Sequence, residues 1–160
     1  MKRHVSLIPL SHDHHDGLVV AQNLILGRSK APRSTWPTDR QQQVDRLIDF
    51  FRSHFEKHFT AEEQHVFPVA EQQLEDGSDL VGQLRADHEE MRACIQGFAV
   101  DPVSDLDRRL AAFGERLKDH IQQEERVLFE RMQAELAPDT LEAIGAAVRA
   151  SESVSGVCDV

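Results

Sequence analysis

Apolar residues recur along most of this chain at intervals of three and four, the spacing of one helical face, and no segment alternates with the period of two that a half-buried strand shows. The first stripe, His14, Leu18, Ala21 and Ile25, predicts a helix with Ser11 as N-cap, Asp13 in the first turn and Gly27 as C-cap. Residues 28–38, with Pro32 and Pro37, predict a loop, and Thr38-Asp39-Arg40-Gln41 has the form of a capping box. The second stripe is Val44, Leu47, Phe51, His54 or Phe55, His58, Glu62 and His65 or Val66; Pro68 is expected to break or kink this helix, although helix-favouring residues continue to Leu74. After a turn at Glu75-Asp76-Gly77-Ser78, the third helix is expected from near Ser78 or Asp79, with Leu80 or Val81, Leu84, His88, Met91, Ile95 and Phe98 inward. Ser104 reads as the N-cap of a fourth, carrying Leu106, Leu110, Phe113, Leu117, His120, Glu124, Val127 or Leu128 and Met132, which Pro138 ends. A short, weaker fifth helix is expected at 139–150 and a flexible tail at 151–160. Four long amphipathic helices with short connections predict an all-α, up-down-up-down four-helix bundle spanning residues 1–150.

The stripes contain the wrong residues in places. His14, His58, Glu62, His88, His120 and Glu124 all fall where the helical period asks for an apolar side chain. Each of the four helices contributes one His, and the second and fourth each add a Glu one turn later, on the same face. Read without gaps, His58–Phe67 and His120–Phe129, 62 residues further on, both follow H-x-x-x-E-E-x-x-x-F. Asp13-His14-His15-Asp16 and Asp87-His88-Glu89-Glu90 form a second echo, D-H-x-[D/E], so the chain reads as two helical hairpins in pseudo-two-fold relation. This echo selects His14 over its neighbour His15. A carboxylate buried alone costs several kcal/mol, and a bound cation supplies the compensation. Glu63, Glu125, Arg126, Glu89 and Glu90 read as solvent-facing, Phe67 and Phe129 as core packing beside the site, Cys94 as a small packed residue, and Trp36 as a cover over one end of the bundle.

Six ligands exceed the need of one structural zinc. Two imidazoles per ion, two carboxylates able to bridge and no thiolate suit a pair of first-row metals, Fe or Mn above the others. Composition then narrows the partners. The net charge of -10 leaves no basic patch for nucleic acid or an anionic membrane surface. No apolar run approaches the ~20 residues of a membrane span, and the basic start Met1–Ser6 is not followed by an apolar signal core, so a cytoplasmic location is expected. Cys94 and Cys158 are too few for a disulfide framework or a thiolate zinc site. The oligomeric state, monomer or dimer, is left open.

Over about residues 7–136 the chain resembles the hemerythrin-like, HHE cation-binding family. The resemblance rests on His58-Phe59-x-x-Glu62-Glu63 before Phe67-Pro68, on Asp87-His88, on His120-Ile121-x-x-Glu124-Glu125 before Leu128-Phe129, and on Leu10–Leu18. It implies a four-helix bundle around an oxo- or hydroxo-bridged non-haem pair of Fe ions, with Mn or Zn as substitutes, held by His14, His58, Glu62, His88, His120 and Glu124. Oxygen-carrying members place a further His one turn after the third-helix ligand, where this chain has Arg92. A fifth imidazole would have to come from His54, His15 or His65. The expected function is therefore a di-iron protein that binds or senses dioxygen or nitric oxide, or handles iron under redox stress. The alternatives are a redox enzyme acting on peroxide, nitric oxide or oxygen, and a structural metal-binding bundle without a redox role. No acid–base residue beyond the ligands asks for turnover, which favours a binding protein over an enzyme.

Overall fold

The computed structural model describes residues 2–154, which form five long helices and no strand. They are α1 (Ile8–Leu26), α2 (residues 40–73), α3 (Gly77–Val100), α4 (residues 106–135) and α5 (Pro138–Val154). A 3-10 turn, Val5–Leu7, leads into α1. Neighbours run antiparallel: α1 meets α2 through Asp13 and His58 at mid-length and through Leu24 and Arg40 at one end, and α3 meets α4 through Asp87 and His120 and through Asp101 and Arg109. The order is up-down-up-down, as the short connections require. None of the helices is long and apolar enough to cross a membrane.

Several helix ends differ from the sequence reading. α1 starts three residues before Ser11, because Pro9, which has no N–H to leave unsatisfied, fits the first turn. Ser11 is not a cap; its hydroxyl donates to Glu125 at 2.6 Å. The buried face of α1 is Leu10, His14, Gly17, Ala21 and Leu24, with Leu18 and Ile25 only half-buried. Asp39, not Thr38, caps α2, accepting from the Gln42 N–H. Ser104 does not cap α4 either; the Asp101 carboxylate takes the Val103 and Ser104 N–H groups instead. Pro138 does not merely end α4 but opens α5, a helix of 17 residues rather than a short piece, with Leu141, Ile144 and Val148 buried. Residues 151–154, assigned to the tail, are its last turn, and the rest of the expected tail lies outside the described residues.

Pro68 neither breaks nor ends α2. Residues Glu62–Val66 widen into a π turn, closed by the Phe67 N–H on the Glu62 carbonyl, and Pro68 falls in the first turn of the segment that follows. α4 has the same wide turn at Glu124–Leu128, closed on the Glu124 carbonyl, with no proline near it. Proline is therefore not the common cause. A third π turn, Phe51–Phe55, lies earlier in α2, but these two begin at the buried glutamates, and wide turns of this kind concentrate at functional sites.

The core is two apolar clusters with a polar layer between them. One is built on Leu24, Leu47, Phe51, Phe55, Phe59, Ile95, Phe98 and Phe113, with Trp36 packed against it; the other on Leu10, Phe67, Leu84, Phe129, Met132 and Val148. α1 and α4 approach closely at Gly114, where an added Cβ would lie 2.7 Å from the Ala21 carbonyl oxygen. Gly114→Ala is expected to destabilise the fold by ~1–3 kcal/mol, since backbone cannot step aside as a side chain can. The check is a lower denaturant midpoint with an unchanged m-value.

Candidate metal centre

Among the described residues nine polar ones are buried, and six of them, His14, His58, Glu62, His88, His120 and Glu124, each no more than 3% exposed, form the layer between the two apolar clusters. The structure brings all six together in two groups of four: His14 and His58 with both glutamates, and His88 and His120 with both glutamates, the donor atoms of each group lying within 4.8 Å of one another. The glutamates belong to both groups because each divides its oxygens between them. Glu62 Oε1 faces His58 Nε2 at 3.1 Å and His14 Nε2 at 3.4 Å, while its Oε2 faces His88 Nε2 at 3.4 Å. Glu124 Oε2 faces His14 Nε2 at 3.0 Å, while its Oε1 faces His120 Nε2 at 3.2 Å.

The outer edge of every imidazole is tied to a carboxylate. His14 Nδ1 lies 2.6 Å from Glu125, His58 Nδ1 3.1 Å from Asp13, His88 Nδ1 2.9 Å from Glu63 and His120 Nδ1 3.2 Å from Asp87. An ionised carboxylate only accepts, so Nδ1 is the donor in all four contacts and Nε2 is the edge turned inward. Carboxylate–imidazole pairs of this kind orient metal-ligating histidines and raise their basicity. The pairing obeys the internal two-fold: the aspartate before the histidine of α1 or α3 serves the histidine of α2 or α4, and the second glutamate of each E-E pair serves the histidine of α1 or α3.

This corrects the sequence reading of Glu63 and Glu125 as solvent-facing. Their side chains are only 25% and 23% exposed, and arginines hold them from outside, Arg92 at 2.7 Å from Glu63 and Arg3 at 2.8 Å from Glu125. The signal was present in the doubled E-E and in the Asp before each His of α1 and α3, but only the pairing across helices gives it meaning. Glu89, Glu90 and Arg126 are exposed as expected. Arg92, one turn after His88, reaches outward to Glu56, Glu63 and Glu89. Neither His54 nor His15, both exposed, nor the half-buried His65 joins the cluster. Cys94 is exposed rather than packed, and Cys158 lies outside the described residues.

Whether the donor set fits a cation can be tested on its unmet valence. Both oxygens of Glu62, both of Glu124, and the Nε2 atoms of His14 and His58 are buried with no aligned hydrogen bond, despite lying within ion-pair reach of one another. His88 and His120 turn Nε2 to Nε2 at 3.1 Å, a contact that two lone pairs cannot make without a proton between them. Six unsatisfied atoms in one layer of an otherwise apolar core are an unusual expense for a fold, and cations held in the two groups would meet them. Protons fill part of this role in the metal-free protein. Burial would strip His120 of its charge, but Glu124 and Asp87 outweigh it and hold its pKa up at about 10. Burial is likewise outweighed at His14, raised well above its usual value by Glu124, Glu125 and Glu62, and at His58, raised by Glu62 and Asp13. Glu62 and Glu124 are held below the ordinary carboxylate range against burial by those same histidines. Hydrogen bonds from His14 and Ser11 override burial at Glu125 and bring it to about 2.

Aromatic rings seal the layer. Phe59 stacks on His88 with ring centroids 3.7 Å apart, and Phe129 stacks on His14 at 5.5 Å. Phe67 and Phe129, expected as packing beside the site, are fully buried. Glu63→Ala removes the partner of His88 without touching an inward-facing donor. It is expected to weaken metal binding ~10–100-fold, measured by competition with a chelator, while the helical signal is kept.

A family model described as Hemerythrin HHE cation binding domain matches residues 6–132. The match contains the six buried residues and their four outer carboxylates, and it ends before α5. No curated protein and no solved structure matches the chain.

Proposed function

The chain belongs to the hemerythrin HHE cation-binding family, and on that premise we propose that it holds two iron ions side by side and uses them to bind or sense dioxygen or nitric oxide, or to handle iron under redox stress. The observation that carries the reading is the division of each glutamate's oxygens between the two histidine pairs, which gives two positions of two imidazoles and two shared carboxylate oxygens each. Nitrogen and oxygen donors with no thiolate suit iron or manganese, and a doubled site with shared carboxylates is more than one structural zinc needs. A bound iron pair supplies electron exchange with a small ligand.

The chain's own part is to place and insulate. Asp13, Glu63, Asp87 and Glu125 fix the imidazoles with Nε2 inward, and Phe59, Phe67 and Phe129 keep water from the layer. Arg92 stands where an oxygen carrier of this family has a further histidine, and its guanidinium is engaged by three carboxylates. That favours sensing or redox chemistry over reversible carriage.

The test is to load stripped protein with ferrous iron under nitrogen, desalt it and measure iron, with about two per chain expected. Nitric oxide is then added and followed by absorbance. A spectral change complete at one or two equivalents supports binding; steady consumption of nitric oxide or peroxide moves the protein to the enzyme reading. Retention of zinc alone, or of a single ion, overturns the iron pair.

A further inference from the structure

Two clefts open beside the histidine–glutamate layer at places related by the internal two-fold. One, of about 450 Å³, lies over Asp87 and His120 between α3 and α4, and its walls include Glu115 and Asp119. The other, of about 560 Å³, lies over Asp13 and His58 along α1 and α2, and α5 supplies a further wall through Val148 and Ser151. The family match stops at residue 132, so this wall is an addition to the matched domain.

We infer that the cleft walled by α5 is a binding site for an uncharged, mainly apolar organic molecule carrying a hydrogen-bonding group, of the size and type of a naphthol. Its volume falls in the ~300–1,000 Å³ range of small-molecule sites. Leu10, Ala61 and Val148 are buried residues that give it an apolar floor. The charges around it are already answered. The Asp13 carboxylate accepts from His58, and Glu56 is held by Arg92 at 2.9 Å. Lys57 and Glu152, both exposed and of opposite sign, also line it. His54 is turned to Ser53 and stacked on Phe50. A net charge on the occupant would meet one of Lys57 and Glu152 favourably and the other unfavourably, and would lose hydration against the apolar floor. The exposed Gln64 amide lines the cleft as a neutral donor and acceptor. The pseudo-equivalent cleft has Asp119 at the place of Lys57 and Gln123 at the place of Ala61, so it lacks both the charge balance and this part of the apolar floor.

The inference stands apart from the iron reading, so its test is run on the full chain both stripped of metal and loaded. The probes are a matched set, 2-naphthol, 2-naphthoate and 2-naphthylmethylammonium, followed by ligand fluorescence and by amide chemical shifts. Naphthol is expected to saturate at one per chain and to bind roughly tenfold or more tightly than either ion. The shifts should concentrate on Leu10, Ala61 and Val148. Gln64→Trp, at an exposed position on the cleft wall, is expected to abolish binding with the melting temperature unchanged, and Gln83→Trp, on the other cleft, to leave it intact. Absence of saturable naphthol binding, an ion binding as tightly as naphthol, or indifference to Gln64→Trp overturns the inference. None of these outcomes depends on which metal, if any, occupies the centre.

Discussion

Glu124→Ala is expected to abolish binding of both metal ions, and Glu62→Ala to do the same, whereas removing one histidine should empty one position first. The asymmetry follows from where the oxygens point. Glu124 offers one oxygen to the His14 side and the other to His120, and Glu62 offers one to His14 and His58 and the other to His88. Loss of either carboxylate therefore takes a donor from each position, and the effect should exceed the ~10–100-fold that an outer partner such as Glu63 is worth. The fold should survive, because the released imidazoles can answer by giving up their protons rather than remaining as unpaired buried charges. Elemental analysis against helical circular dichroism separates the two effects. A Glu124→Ala protein that keeps one ion at full occupancy would show that the glutamate is not shared, and the paired centre would fall with it.

The six inward residues were legible because helical periodicity is strict. A His or Glu at a core position is conspicuous against the Leu, Val and Phe that surround it in the same stripe, and four helices supplied the coincidence. The outer ring was not legible for the complementary reason. Glu63 and Glu125 sit one residue beyond the inward glutamates, about 100° round the helix, where a charged side chain normally faces water. Only the tertiary packing of α1 on α4 and of α2 on α3 turns them toward His14 and His88. Intra-helix spacing carries no information about that.

The helix ends failed for local reasons that a wider window would catch. Pro9 and Pro138 are both first-turn residues, and the sequence reading treated one as lying before a helix and the other as a stop. Pro68 is different in kind. A π turn changes the phase of the stripe by one residue, and here it does so at the buried Glu62, just ahead of Pro68. A fixed period of 3.6 cannot anticipate it. The fifth helix was underrated because its partners, the Val5–Leu7 turn and the Glu62–Val66 turn of α2, are remote in sequence.

The metal-free and metal-loaded proteins should move apart in stability as pH rises from 6.5 towards 10. In the folded metal-free chain His120 titrates at about 10, against an ordinary value of 6.5. A group whose pKa is raised on folding stabilises the fold fully below its unfolded pKa and loses that contribution as pH climbs through the folded one. The melting temperature of the stripped protein should therefore fall across this window, and His14 and His58, also raised, act in the same direction. Glu62 and Glu124 are held below the ordinary carboxylate range, so they stay ionised throughout and do not contribute to the slope. For the loaded protein the sign reverses. A cation needs the Nε2 lone pair that the proton occupies, so each proton displaced makes apparent affinity rise ~tenfold per pH unit until that histidine is neutral. Tighter binding stabilises the native state by mass action. At a fixed, chelator-buffered concentration of free manganese, the gap in melting temperature between loaded and stripped protein should widen steadily with pH. A gap that stays flat would mean that metal and protons do not compete for the same nitrogens, and the inward histidines would have to be withdrawn as ligands even if the protein still bound a metal elsewhere.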